Sequence, residues 1–167
     1  PSVNTTEKGI KYARNTGSIT SPWTSELIFA AVTASGLGSF FDHAQGTAID
    51  VDSNNTPHIL FHIVDNPKIY HAVSSSSGWT VNDFFTIDPF VNLDSNAGFT
   101  SPFTGSLVTK LQMKIDGNDD IHAVYTFQPD IKTRYLADYY TKYESVYIKS
   151  GSSGLSYKLL NNMRSVP

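Results

Sequence analysis

Between residues 48 and 81 short apolar-rich runs alternate with polar breaks: AIDVD, SNNTP, HILFHIV, DNPK, IYHAV, SSSSG and WTV. Runs of this length, rich in β-branched and aromatic residues, read as strands, and the Asn, Asp, Ser, Pro and Gly clusters between them read as turns. The pattern predicts four short strands joined as an antiparallel meander. Residues 32–47 and 88–110 are rich in Gly, Ser, Thr and Pro and lack a sustained 3.6-residue period, so no helix is expected there. The stretch YLADYYTKYESVYI reads either as a short helix over 138–147 or, given its tyrosines, as an extended hairpin arm.

The same pattern returns further along. VDSNNTPHILF (51–61) aligns with IDGNDDIHAVY (115–125) at a constant offset of 64, matching Asp52 to Asp116, Asn54 to Asn118, His58 to His122 and Phe61 to Tyr125. The second halves also match: IYHAVSSSSGWTV (69–81) resembles VYIKSGSSGLSYK (146–158), with Gly78 answered by Gly154. Setting Ile69 on Val146 gives an offset of 77 and about 13 extra residues in the preceding loop of the later copy. A third copy, IKYARNTGSITSPWTSELI (10–28), opens the chain and contains only the last two strands of a unit. The expected organisation is therefore a half unit over 1–32, a full unit over 44–88 and another over 107–162.

Tandem four-stranded meanders are the sequence signature of a β-propeller. Ile49 to Phe61, Ile69 to Ala72 and Gly78 to Thr80 resemble the blades of secreted bacterial propeller proteins of the sialidase-like (BNR-repeat) type. The resemblance implies an all-β propeller of about two and a half blades, partial or completed by oligomerisation, and an extracellular or cell-surface location. The Asp-box of true sialidases, Ser-x-Asp-x-Gly-x-Thr-Trp, is degenerate here: SSSSGWT (74–80) lacks the aspartate and the spacing. The alternative fold is a β-sandwich, which shares the short strands and turn spacing but does not require equal-offset copies of one hairpin.

Composition narrows the function classes. Charged residues make up 16% of the chain, and the net charge of −3 with a pI near 5.9 argues against nucleic acid or an anionic membrane as partner. No apolar run is long enough to insert into a membrane. The absence of cysteine excludes disulfides, thiol nucleophiles and thiolate metal sites. The chain starts at Pro1 and carries no signal-peptide pattern, which reads as a processed piece or part of a longer chain.

Meander order sends the loops between strands 2 and 3, and those between units, to one face. These are the long segments: 33–47, 64–68, 88–106 and 128–144. Their candidate ligand-binding residues are Phe41, Asp42, His43, Asp94, Arg134, Tyr135, Tyr139 and Tyr140. Aromatic faces beside Asp and Arg suit a sugar ring, and equally a protein interface core. The bland alternative is that these aromatics pack between units.

The acidic turns offer oxygen ligands at every second residue. Asp116, Asn118 and Asp120 form the better candidate for calcium, although neither copy completes a calcium-loop pattern, and Asp and Asn also favour tight turns for backbone reasons. His58 and His122 hold equivalent positions, which marks them as architectural. His62 and His71 could share a face with Asp65 nearby, and His43 in its loop is the most exposed histidine expected. No nucleophile-elbow, zinc-protease, phosphate-loop or dinucleotide motif is present.

The leading expectation is a non-catalytic binding or assembly module that presents aromatic loops to a glycan or protein and forms a homo-oligomer or part of a longer chain. It needs no cofactor unless calcium binds at 116–120. One rival is a segment of a sialidase-like or polysaccharide-cleaving enzyme, disfavoured by the scatter of Arg14, Arg134 and Arg164. Another is a structural subunit polymerising through open strand edges.

Overall fold

The structure, a computed structural model, describes residues 9–18, 20–30, 44–63, 68–86, 106–129 and 144–160. Those residues form ten strands in three antiparallel sheets, with no helix among them. The first sheet pairs β1 (Gly9–Arg14) with β2 (Thr24–Ala30). The second is the meander β3 (Ala44–Val51), β4 (Pro57–Ile63), β5 (Lys68–Ser75) and β6 (Gly78–Thr86). The third is the meander β7 (Ser106–Ile115), β8 (Ile121–Pro129), β9 (Glu144–Gly151) and β10 (Gly154–Leu159). The described residues form no closed ring of sheets.

Local chemistry sets the hairpins. In the β3–β4 turn the amide of Asn55 donates to the Asp52 carbonyl and that of Asp52 to the Thr56 carbonyl; the β7–β8 turn repeats both bonds with Asp119, Asp116 and Asp120. The third loop residue must take a left-handed conformation, and Asn55 (φ 60°) and Asp119 (φ 62°) do so, being among the few residues that tolerate it. The β5–β6 and β9–β10 turns instead place Gly78 (φ 113°) and Gly154 (φ 97°) just after two serines.

Strand register makes the repeat exact to the residue and corrects one alignment. Phe61 faces Tyr70 in the second sheet, and its counterpart Tyr125 faces Val146 in the third. Tyr70, not Ile69, therefore corresponds to Val146, and the offset across β5–β6 and β9–β10 is 76 rather than 77. The loop before β9 is longer by 12 residues, not 13, and His71 corresponds to Tyr147. The first sheet follows the same template. Its pairs Ile10–Phe29, Lys11–Leu27 and Tyr12–Glu26 match Ile69–Phe85, Tyr70–Asp83 and His71–Asn82, with the bulge at the same step.

The sheets stack in chain order. Residues directly opposite in an antiparallel pair share a face, so Ala48, Leu60, Ile69 and Phe85 line the side of the second sheet that meets the third. They pack with Leu111, Ile115, Ile121, Ala123, Tyr125, Val146 and Ile148. β3 and β7 form the most extensive contact between these sheets. Towards the outer strands, Phe85 fills the gap, tilted against Tyr125 at 5.9 Å and edge-on to Tyr157 at 5.3 Å. The other face of the second sheet, through Ile59, Phe61 and Ala72, packs on Ile10 of the first. Burying such side chains contributes about 1.5–3 kcal/mol each.

Candidate functional site

The proposed ligand-binding residues Phe41, Asp42, His43, Asp94, Arg134, Tyr135, Tyr139 and Tyr140 lie outside the described residues, as does Asp65. The strand ends that lead into their loops are described. Ala30, Ala44, Ile63, Lys68, Thr86, Ser106, Pro129 and Glu144 bound the connections at one end of the antiparallel meanders, while the β3–β4, β5–β6, β7–β8 and β9–β10 turns occupy the opposite end.

At that turn end the structure assembles a network of carboxylates, histidines and lysines. In the third sheet Asp116 is its hub. One carboxylate oxygen accepts from the amides of Asn118 (2.8 Å) and Asp120 (3.0 Å), and the other lies 3.0 Å from His122 Nε2. His122 Nδ1 is 2.6 Å from Tyr147 Oη. Because Asp116 can only accept when ionised, His122 carries its proton on Nε2, which leaves Nδ1 to accept from the tyrosine hydroxyl. His122 and the two amides together hold the Asp116 carboxyl below the usual range.

The second sheet has the same chain of contacts with one substitution. Asp52 accepts from the amides of Asn54 (2.9 Å) and Thr56 (2.7 Å), and His58 Nε2 lies 3.5 Å from its other oxygen. That separation is too long for a good hydrogen bond, so the link is looser than its counterpart. His58 Nδ1 is 2.9 Å from His71 Nε2, with the rings stacked at 5.0 Å. For the proton on His58 to point at Asp52, His71 must donate through Nε2, as Tyr147 does through its hydroxyl. Burial pushes His71 down to about 4, and the nearby His58 adds to the effect.

The two turns also bind each other. The Ser53 amide and hydroxyl donate to the two oxygens of Asp119 at 2.8 and 2.7 Å. Asp50 accepts from the Ile115 amide at 2.8 Å and pairs with Lys114 at 2.8 Å, and these contacts lower its pKa, Lys114 contributing most. Asp120 pairs with Lys149 at 2.8 Å, which raises the lysine.

Of the three suggested calcium ligands, Asp116 thus spends both oxygens on protein donors, Asp120 pairs through one oxygen with Lys149, and Asn118 is exposed. Among the described residues no group of three or more His, Asp or Glu side chains is arranged to hold a metal. The chain matches no protein-family model, no curated protein and no solved structure.

Each carboxylate rigidifies its own turn, and each histidine ties that turn to the third strand of its sheet. Sequence reasoning found Asp116, His58 and His122 but missed His71 and Tyr147 as their partners. The signal was present: matching Gly78 to Gly154 gives the offset of 76 that pairs His71 with Tyr147. Asp119 and Lys114 were missed, and Asp50 was read only as an oxygen of the acidic turns, because their partners come from the neighbouring sheet, 64–66 residues away.

Proposed function

We propose that this chain is a non-catalytic, extracellular binding module built from propeller-like blades, whose long-loop end contacts a glycan or a protein surface. One observation carries the reading: the three longest connections, 31–43, 87–105 and 130–143, leave the same end of a stack whose opposite end is knitted by paired turns. A rigid scaffold with long loops gathered at one end is the arrangement in which binding function usually resides. Two further features support it. The histidines and carboxylates that resemble catalytic relays recur at equivalent positions of both four-stranded sheets, with the carboxylates engaged by turn amides. Successive sheets also meet through the same faces, as blades of a propeller do.

The test is glycan-array binding of the chain and of its Tyr139→Ala plus Tyr140→Ala variant. Saturable binding by the parent, lost in the variant with the far-UV spectrum unchanged, is the expected result. Absence of binding to any glycan overturns the glycan reading and leaves a protein surface as the ligand.

A further inference from the structure

The two seams between the sheets differ in one quadrant, where the outer strands approach the turn end. In the first seam Tyr12 of β1 meets Trp79 of β6 edge-on at 5.1 Å, and β2 and β6 approach each other. Strand register carries both positions into the other sheets. Tyr12, His71 and Tyr147 correspond, and so do Trp23, Trp79 and Leu155. In the second seam His71 and Leu155 therefore stand where the first is filled by two large rings, and β6 and β10 make no comparable contact.

The smaller pair leaves a cleft open to solvent. Thr80 and Asn82 share a face with Val73 and His71, turned towards the third sheet, yet both are exposed. Across the seam Leu155 and Tyr157 share a face with Ser150 and Ile148, turned towards the second sheet. They are 45% and 52% exposed. Half-buried His71, stacked on His58, lies at the inner end, and Tyr157 leans edge-on against Phe85 at 5.3 Å.

The chain carries a ring of the missing kind. Trp23, just before β2, holds the position of Trp79 but is 65% exposed. The turn before it is ordered by Asn15, whose side chain accepts from the Gly17 amide at 2.8 Å and donates to the carbonyls of Ser18 and Ser21 at 3.0 and 2.9 Å. Trp23 is thus held out on a fixed turn, a large apolar ring with a polar N–H. We propose that Trp23 of one chain inserts into this cleft on a second copy, between Leu155 and Tyr157 on one side and Thr80 and Asn82 on the other. The ring would repeat there the packing that Trp79 has in the first seam. Thr80 and Asn82 also offer its N–H an acceptor, which buried Trp79 Nε1 lacks among the described residues. The same chain cannot supply the ring. Trp79 faces the preceding sheet, so Trp23 at the equivalent position faces away from the second sheet, whose far side holds the cleft. The inference rests on the repeat register and not on the ligand at the loop end, so the outcome for Tyr139 and Tyr140 does not decide it.

The test is sedimentation of the full chain over a concentration series, alongside Trp23→Ala and Leu155→Trp. The first variant removes the inserted ring, and the second fills the cleft from within. Tyr157→Ser, which removes one wall, replaces Leu155→Trp if that change disturbs the far-UV spectrum. The parent should self-associate, and each variant should weaken association by roughly tenfold or more. Mixing Trp23→Ala with Leu155→Trp should restore a complex, because one retains the cleft and the other the ring. A parent that stays monomeric overturns the proposal, as does association indifferent to either variant or a mixture that stays apart. Saturable binding of N-acetyl-tryptophanamide to a monomeric parent also overturns it, by making another protein's tryptophan the occupant.

Discussion

The second and third sheets are built from one template and differ in what lies on their far side. Both are four-stranded meanders with an Asp–His link at the first turn and a left-handed residue at Asn55 or Asp119. The second sheet is covered on both faces, by the third sheet through Leu60 and Ile69 and by the first through Ile59 and Phe61. The third is apolar only towards the second. Its other face carries Gln112, Lys114, His122, Val124, Thr126, Ser145, Tyr147, Lys149, Ser156 and Lys158, all exposed or half-buried. The two sheets therefore share a hairpin template but not the character of this face, apolar in the second sheet and largely polar in the third.

The sharpest way to break this comparison is to truncate the same position in both sheets. Leu60 is fully buried between the sheets, whereas its counterpart Val124 is half-buried on the polar face. Leu60→Ala should cost about 3 kcal/mol, through lost burial and the cavity left behind, and Val124→Ala less than about 1 kcal/mol. Urea denaturation midpoints at a common slope measure both. Equal losses would mean that Val124 is as closely covered in solution as Leu60.

Much of the architecture was legible because hairpin chemistry is local. Asp-Ser-Asn-Asn-Thr and Asp-Gly-Asn-Asp-Asp carry their own turn instructions, and the offset of 64 between them follows without any tertiary knowledge. The half unit at the start was legible for the same reason, from Ile10 to Ala13 and from Trp23. What failed was the join across the long loop before β9, where the copies were anchored on Ile69 and Val146 rather than on the turn glycines Gly78 and Gly154, and one residue of slip turned Tyr147 into the counterpart of Tyr70. The network between sheets was illegible for a deeper reason. Asp50 with Ile115, and Ser53 with Asp119, meet only because two sheets stack, and no pattern within one unit announces the partner.

His71 and Tyr147 give the second prediction, smaller and tied to pH. His71 titrates at about 4 in the folded chain against an ordinary 6.5, so the unfolded chain binds a proton first as pH falls. Its contribution is intact above pH 6.5, declines between 6.5 and about 4, and is fully lost below. The loss is on the order of 2 kcal/mol, discounted for partial solvent screening. His71→Tyr copies the third sheet's arrangement, in which a hydroxyl donates to the central histidine without titrating in this range. It should flatten the stability profile between pH 6.5 and 4.5, and Tyr147→His should steepen it. Chemical denaturation across that range measures both, and an unchanged slope in His71→Tyr would move the acid sensitivity elsewhere.

The smallest effect separates the charge of the Asp50 contact from its hydrogen bond. Asp50 meets a lysine whose side chain is 77% exposed and also a backbone amide at 2.8 Å. An exposed ion pair is worth little in water, under about 1 kcal/mol, and salt screens it further. The amide of Ile115 is a different matter, since a donor left without a partner between packed sheets costs more than the ion pair contributes. Asp50→Asn keeps an oxygen for that amide and discards the charge, while Asp50→Ala discards both. Asn should therefore lie within about 0.5 kcal/mol of the parent in high salt, with Ala about 1 kcal/mol or more below it. If the two variants lose the same amount and the loss vanishes with salt, the lysine is what joins the two sheets at their turns, and the equivalent-position pairing of residues 50 and 114 is electrostatic rather than a matter of backbone satisfaction.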